Sequence, residues 1–154
     1  MIADFSITET IPVADHVYKF LIKRTGSDTY VAERTDIIGN IVLSSLGKHH
    51  DLGLTKNKFT RTFNVVIKED KYLKCGFFLG VKSGQVFNRM IDQLFRDELY
   101  HHIQMNANNE KEKCLEGIRN FLAVYDITED DIKLESIYRD FKRKKSKIES
   151  RLIA

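Results

Sequence analysis

Tryptophan is missing from this 154-residue chain, proline occurs once, at Pro12, and cysteine only twice, at Cys75 and Cys114. One proline with eight glycines argues against a loop-rich β-sandwich and for a helix-rich protein. Two distant cysteines without a Cys-x-x-Cys partner make neither a disulfide framework nor a paired zinc knuckle. They fit a compartment that keeps thiols reduced, so the cytoplasm is the expected location. No apolar run is long enough to cross a bilayer. Residues Met1-Ile2-Ala3-Asp4-Phe5 are mildly acidic and lead into no apolar stretch, so no secretory leader is expected. Catalytic signatures are missing too. No serine stands in a nucleophile elbow, and the glycines at 76, 80 and 84 match neither the dinucleotide fingerprint nor the phosphate loop.

The residues that are present permit an ordinary core. Hydrophobic residues make up 42% and charged residues 31%, which places the chain with globular proteins and not with disordered ones. The length suits a single domain over 1–154, with a core at about 13–141 and a basic helix end at 139–154. The net charge of +3 is unevenly placed. From Arg139 to Arg151, seven bases face two acids, leaving the remainder of the chain slightly acidic. A local basic patch attracts nucleic acid, acidic lipid or acidic protein alike.

Apolar periodicity predicts about five helices and one short β-hairpin, an α+β fold that is predominantly helical. Residues 1–12 read as an extended lead-in, with Ile7 to Ile11 a possible edge strand stopped by Pro12. A helix is predicted from Val13 to Arg24, with Gly26 as its C-terminal cap. Thr29 to Ala32 is too short to assign. Asp36 begins a helix over Ile37–Leu46, in which Gly39 costs about 1 kcal/mol relative to alanine and marks close packing. Residues 49–58 read as a loop. Phe63, Val65 and Ile67 alternate along a strand from Thr60 to Lys68, with Glu69-Asp70-Lys71 as a turn and Tyr72–Leu79 as the return strand. The longest helix opens at Ser83 and breaks at Asn106.

The C-terminal third has the most definite pattern. Ile118, Phe121, Leu122 and Tyr125 share a helix face, as do Leu134, Ile137, Tyr138 and Phe141. Between them Thr128 is a natural N-cap, with Asp131 in the position of a capping-box acid, although the helix can break between Ile132 and Glu135. The result is a C-terminal αα-hairpin ending in a basic helix. The acidic entry to that helix would repel phosphate, so any contact with nucleic acid falls to its basic end.

That end supplies the expected phosphate-binding residues: Arg139, Lys142, Arg143, Lys144, Lys145 and Lys147, with Arg119 and Arg61 as weaker candidates. Tyr138 and Phe141 lie among them and can serve either as core or as stacking rings. Other constellations read as structural. His49-His50-Asp51 matches no metal-ligand spacing. Glu98 and His102 sit at i, i+4, and Glu98 to His101 is half of a di-metal motif with no second copy. Cys114 is expected to be a packed thiol. No catalytic residue, metal or cofactor is expected.

The string Phe121-Leu122-x-x-Tyr125-x-Ile127-Thr128-Glu129-Asp130-Asp131-Ile132-Lys133, followed by Tyr138-Arg139-Asp140-Phe141-x-Arg143, resembles the C-terminal part of small proteins encoded by bacterial mobile elements and phages. Some of these are taken to bind DNA. The likeness covers under a quarter of the chain and carries over no catalytic residue. It implies a non-enzymatic, nucleic-acid-binding or regulatory accessory protein. The alternative expectation is a structural or adaptor protein, a virion component or host-targeting factor, assembling by protein contacts or as a homo-oligomer through apolar surface such as Phe77-Phe78-Leu79. No membrane partner is expected.

Overall fold

The computed structural model describes residues 5–47, 58–106 and 110–153. It is an α+β fold, mostly helical, with six helices and a three-stranded sheet among those residues. The chain divides into two compact units, Met1–Asp92 and Gln93–Ala154.

The first unit is organised on its sheet. The strands are β1 (Ser6–Val13), β2 (Thr29–Val31) and β3 (Arg61–Lys68), in the order β1-β3-β2. The middle strand pairs antiparallel with β1, Ile11 opposite Phe63 and Glu9 opposite Val65, and parallel with β2, Tyr30 opposite Val65. Alternation then sorts the side chains. Ile11, Val13, Phe63, Val65 and Ile67 are fully buried, while Thr8, Thr10 and Thr62 are exposed. Glu9 lies in register with the buried set, and loss of water there raises its carboxyl pKa.

Two sequence expectations change here. Pro12 does not stop β1, which runs through it to Val13. On an edge strand a missing N–H can face away from the ladder, so one proline is tolerated. The return strand over Tyr72–Leu79 does not form, and with it goes the hairpin. Glu69–Cys75 is a short helix, α3, closed by Gly76 at φ 104°, and Phe78 makes only an isolated bridge to Gly47. The antiparallel partner of β3 is β1, from the far end of the unit.

Helix α1 (Asp15–Thr25) begins two residues later than its apolar pattern suggested, because Val13 belongs to the sheet. Gly26, at φ 78°, caps it by donating its N–H to Ile22 O. Helix α2 (Ile37–Ser45) is capped by Asp36, whose carboxylate accepts the Gly39 N–H at 2.8 Å. The glycine at 39 is required by space: a Cβ there would lie 1.7 Å from the backbone oxygen of Glu33. Helix α4 (Val81–Asn106) starts earlier than Ser83. Its Asn88, the buried polar side chain among the described residues, accepts the Ala14 N–H at 2.8 Å. One turn later on α4, Asp92 Oδ1 lies 2.6 Å from His16 Nε2, so two side chains of α4 hold the first turn of α1.

The second unit consists of the remaining half of α4, helix α5 (Lys111–Val124) and helix α6 (Leu134–Ile153). Its buried side chains are those of the apolar stripes, among them Phe95, Leu99, Ile103, Ile118, Phe121, Ile137 and Phe141. Helix α5 ends in a Schellman motif. Asp126 N–H reaches Ala123 O, Ile127 N–H reaches Leu122 O at 3.0 Å, and Asp126 takes the left-handed conformation at φ 55°. Thr128 does not cap α6, which starts only at Leu134, so the chain breaks between Ile132 and Glu135, the alternative that the sequence left open. Asp131 accepts both the Thr128 N–H (2.8 Å) and its hydroxyl (3.2 Å). The hydroxyl therefore donates to Asp131, and 128–132 closes a single turn that does not propagate.

Candidate functional site

Helix α6 advances about 100° per residue, and this phase sorts its cations. Leu134, Ile137, Phe141 and Ile148 mark the inner seam, with Ile137 and Phe141 buried. Opposite them, within an arc of about 140°, stand Arg139, Lys142, Arg143 and Lys147, all exposed. Arg139 and Lys147 are roughly 12 Å apart along the axis at the ends of this row. Arg143 Nη1 lies 3.7 Å from Asp140 Oδ1, a loose exposed pair of the kind that contributes little. Arg139 and Lys147 have no carboxylate partner among the described residues.

The other two predicted cations leave this row for its shoulders. Lys144 turns towards α4, where it pairs with Asp97 and sits 5.2 Å from the centroid of the Tyr100 ring. Burial pulls its ammonium pKa below the ordinary lysine value. It is a structural cation within the unit and not part of the outward row. The phenol of Tyr100 is pushed up, first by burial and then by the charge of Glu149. Asp140 also pairs with Arg96, so a second ion pair ties α6 to α4.

Lys145 lies on the other shoulder and lines a cleft of about 350 Å³ between α5 and α6. Tyr138, Phe141 and the buried Cys114 supply its apolar surface. Lys142, Ser146 and Glu149 supply its polar groups. The Lys142 ammonium sits 4.8 Å from the centroid of the Tyr138 ring, a cation–π contact at a partly exposed position. Ser146 and Glu149 were not singled out in the sequence, and Cys114 was read there only as a packed thiol. The i, i+3, i+4 spacing of 138, 142, 145 and 149 does place those four on one flank, but nothing in the sequence placed Cys114 against it.

The weaker candidates are separate. Arg119 is exposed on α5. Arg61 belongs to the first unit, 3.6 Å from Asp15 and over the Tyr18 ring at 5.0 Å, so local contacts account for it. His49-His50-Asp51 lies outside the described residues. His102 stacks beside Phe121 at 5.6 Å, and Glu98 accepts the Tyr125 hydroxyl at 3.4 Å. Among the described residues no group of three or more His, Cys, Asp or Glu is arranged to hold a metal ion, and no helix is long and apolar enough to cross a membrane. No protein-family model, curated protein or solved structure matches the chain.

Proposed function

We infer that the protein binds nucleic acid through the outward face of α6, without catalysing a reaction on it. The observation that carries this reading is the row Arg139, Lys142, Arg143 and Lys147, four cations exposed on one side of two helical turns. The most acidic stretch, Glu129, Asp130 and Asp131, lies in the turn before α6, while one exposed acid, Glu135, shares the arc of the row one turn before Arg139. Arg139, Arg143 and Lys147 stand at i, i+4 spacing, so the row carries like-charge repulsion that a bound polyanion relieves. Contact with phosphate is electrostatic, and no feature of the row reads sequence. The likeness of the 121–145 stretch to proteins of phages and mobile elements supports an accessory role in such an element, in a cytoplasm that keeps Cys75 and Cys114 reduced.

Salt titration tests the reading. Four phosphate contacts predict that duplex affinity falls by about 100-fold between about 50 and about 200 mM salt. Replacing Arg139, Lys142, Arg143 and Lys147 together by glutamine should abolish most of that dependence while leaving the helical circular dichroism intact. No retention of DNA at low salt, or identical binding by the quadruple variant, would remove the reading.

A second reading, assembly through protein contacts, rests on the first unit. Leu73 and Phe77 are 66% and 44% exposed there, apolar surface of a kind often used at interfaces. Light scattering separates the two. A discrete oligomer indifferent to DNA favours assembly.

A further inference from the structure

Four cations on a helix explain attraction to phosphate, but they do not distinguish a duplex from a single strand. The cleft beside them does. It combines aromatic and thiol surface from Tyr138, Phe141 and Cys114 with Lys142 and Lys145. At about 350 Å³ it lies at the small end of ligand pockets, roughly 300–1,000 Å³. We propose that this cleft receives an unpaired base, so that the ligand of α6 is single-stranded nucleic acid. The proposal deepens the nucleic-acid reading above and rests on it.

Two features of the lining favour a base over a phosphate inside the cleft. Glu149 contributes a carboxylate that offsets one of the two lysine charges in the lining, and the remaining surface is largely ring and thiol, which suits a flat neutral base. The Tyr138 ring is already paired with a cation, Lys142, whose side chain is long and exposed. An incoming base replaces that ammonium on the ring, and the displaced ammonium moves to the phosphate of the same nucleotide. Ring stacking and charge neutralisation thereby occur together, as in proteins that bind single strands without reading sequence. Lys142 also belongs to the outward row, so the backbone leaving the cleft continues onto Arg139 and Arg143. In a duplex the bases are stacked and paired, and none is free to enter.

The test uses the full chain, a single-stranded thymidine oligonucleotide and a duplex of equal length. Tyr138→Ala should lower single-strand affinity by on the order of 10-fold or more and leave duplex affinity unchanged, while Tyr138→Phe, which keeps the ring, should bind as the parent does. Because the chain contains no tryptophan, Tyr138→Trp places a unique fluorophore in the cleft. Its emission should be quenched by the single strand and not by the duplex. That measurement reports on the cleft even if the alanine variant folds poorly. Equal, salt-dependent binding of both ligands with no quenching overturns the cleft proposal and leaves the basic row standing. Absence of any binding at low salt overturns both.

Discussion

The first unit is held in register by partners far apart in sequence, the second by partners one helix away. In the first, β1 is paired residue for residue with β3, so that Ser6 meets Lys68, and β2 joins through only three residues. In the second, α5 and α6 are neighbours in the chain, and their burial follows their own apolar stripes. Charge shows the same contrast. Met1–Asp92 holds thirteen Lys and Arg against ten Asp and Glu. Gln93–Ala154 holds twelve of each and is neutral overall, yet it carries both the most acidic turn and the most basic helix. Net charge by unit therefore does not reveal where the cations gather. The spacing of charge along a helix of known phase locates the candidate surface.

The largest expected effect tests the close fit of the first unit. Alanine at position 39 would favour helix α2 by about 1 kcal/mol on propensity alone. The added Cβ would lie 1.7 Å from the Glu33 carbonyl oxygen, and that neighbour is backbone, which cannot rotate away. Steric overlap wins, and Gly39→Ala should destabilise by about 3 kcal/mol or more. Urea unfolding measures it. A variant as stable as the parent would show that the 33–39 approach is looser than described.

The same contrast decides what the sequence disclosed. Periodicity located α1, α2, α5, the body of α4 and the basic helix, because each is a local pattern read on one element. Gly26 announced its cap for the same reason. Alternation located β3 from Phe63, Val65 and Ile67. The return strand read from the apolar stretch Tyr72–Leu79 does not form, and the turn expected at Glu69-Asp70-Lys71 is the start of helix α3. Whether that stretch pairs with β3 depends on a competitor, β1, more than fifty residues away. Strand β2 is too short to show any period and exists as a strand only because Asn64 to Val66 lie beside it. At the candidate site the charge run was legible. The removal of Lys144 from it was not, since its partner Asp97 lies on another helix. The cleft likewise needed Cys114 from α5.

In the second unit the corresponding fixed point is the end of α5. Asp126 holds the left-handed conformation at φ 55°, which aspartate and asparagine tolerate and β-branched residues do not. Asp126→Val should destabilise by about 1–2 kcal/mol, whereas Asp126→Asn should stay close to the parent. Thermal unfolding of the pair separates backbone strain from loss of charge. An equal loss in both would assign the effect to the carboxylate.

A smaller effect depends on pH. In the first unit the Tyr30 hydroxyl donates to Asp36, whose other carboxylate oxygen caps α2. Burial first, then the hydrogen bond and charge of Asp36, raise the phenol pKa well above its ordinary value of 10. The folded state therefore keeps its proton after the unfolded state has lost it. Stability linked to Tyr30 is complete below about pH 10 and is lost as pH rises from there towards the raised folded value. Tyr30→Phe should cost about 1 kcal/mol at neutral pH, through the lost hydrogen bond, and should show a shallower alkaline decline. Unfolding midpoints between about pH 8 and about pH 11 test this. Parallel declines for the two proteins would mean that another group governs alkaline stability.

The smallest effect has the opposite sign and returns to glycine. Gly117 lies inside α5, as Gly39 lies inside α2, and local propensity treats the two alike. Their surroundings do not. A Cβ at 117 would lie 3.5 Å from Cγ1 of the buried Ile103, an ordinary van der Waals contact with a side chain. Nothing there opposes propensity, and the methyl group gains a packing partner. Gly117→Ala should stabilise the second unit by about 0.5–1 kcal/mol. Measured beside Gly39→Ala by the same urea unfolding, the two substitutions should move stability in opposite directions. If both destabilise, the α5–α4 contact is as tight as the one at Glu33, and the distinction between a closely fitted first unit and a more permissive helical one fails.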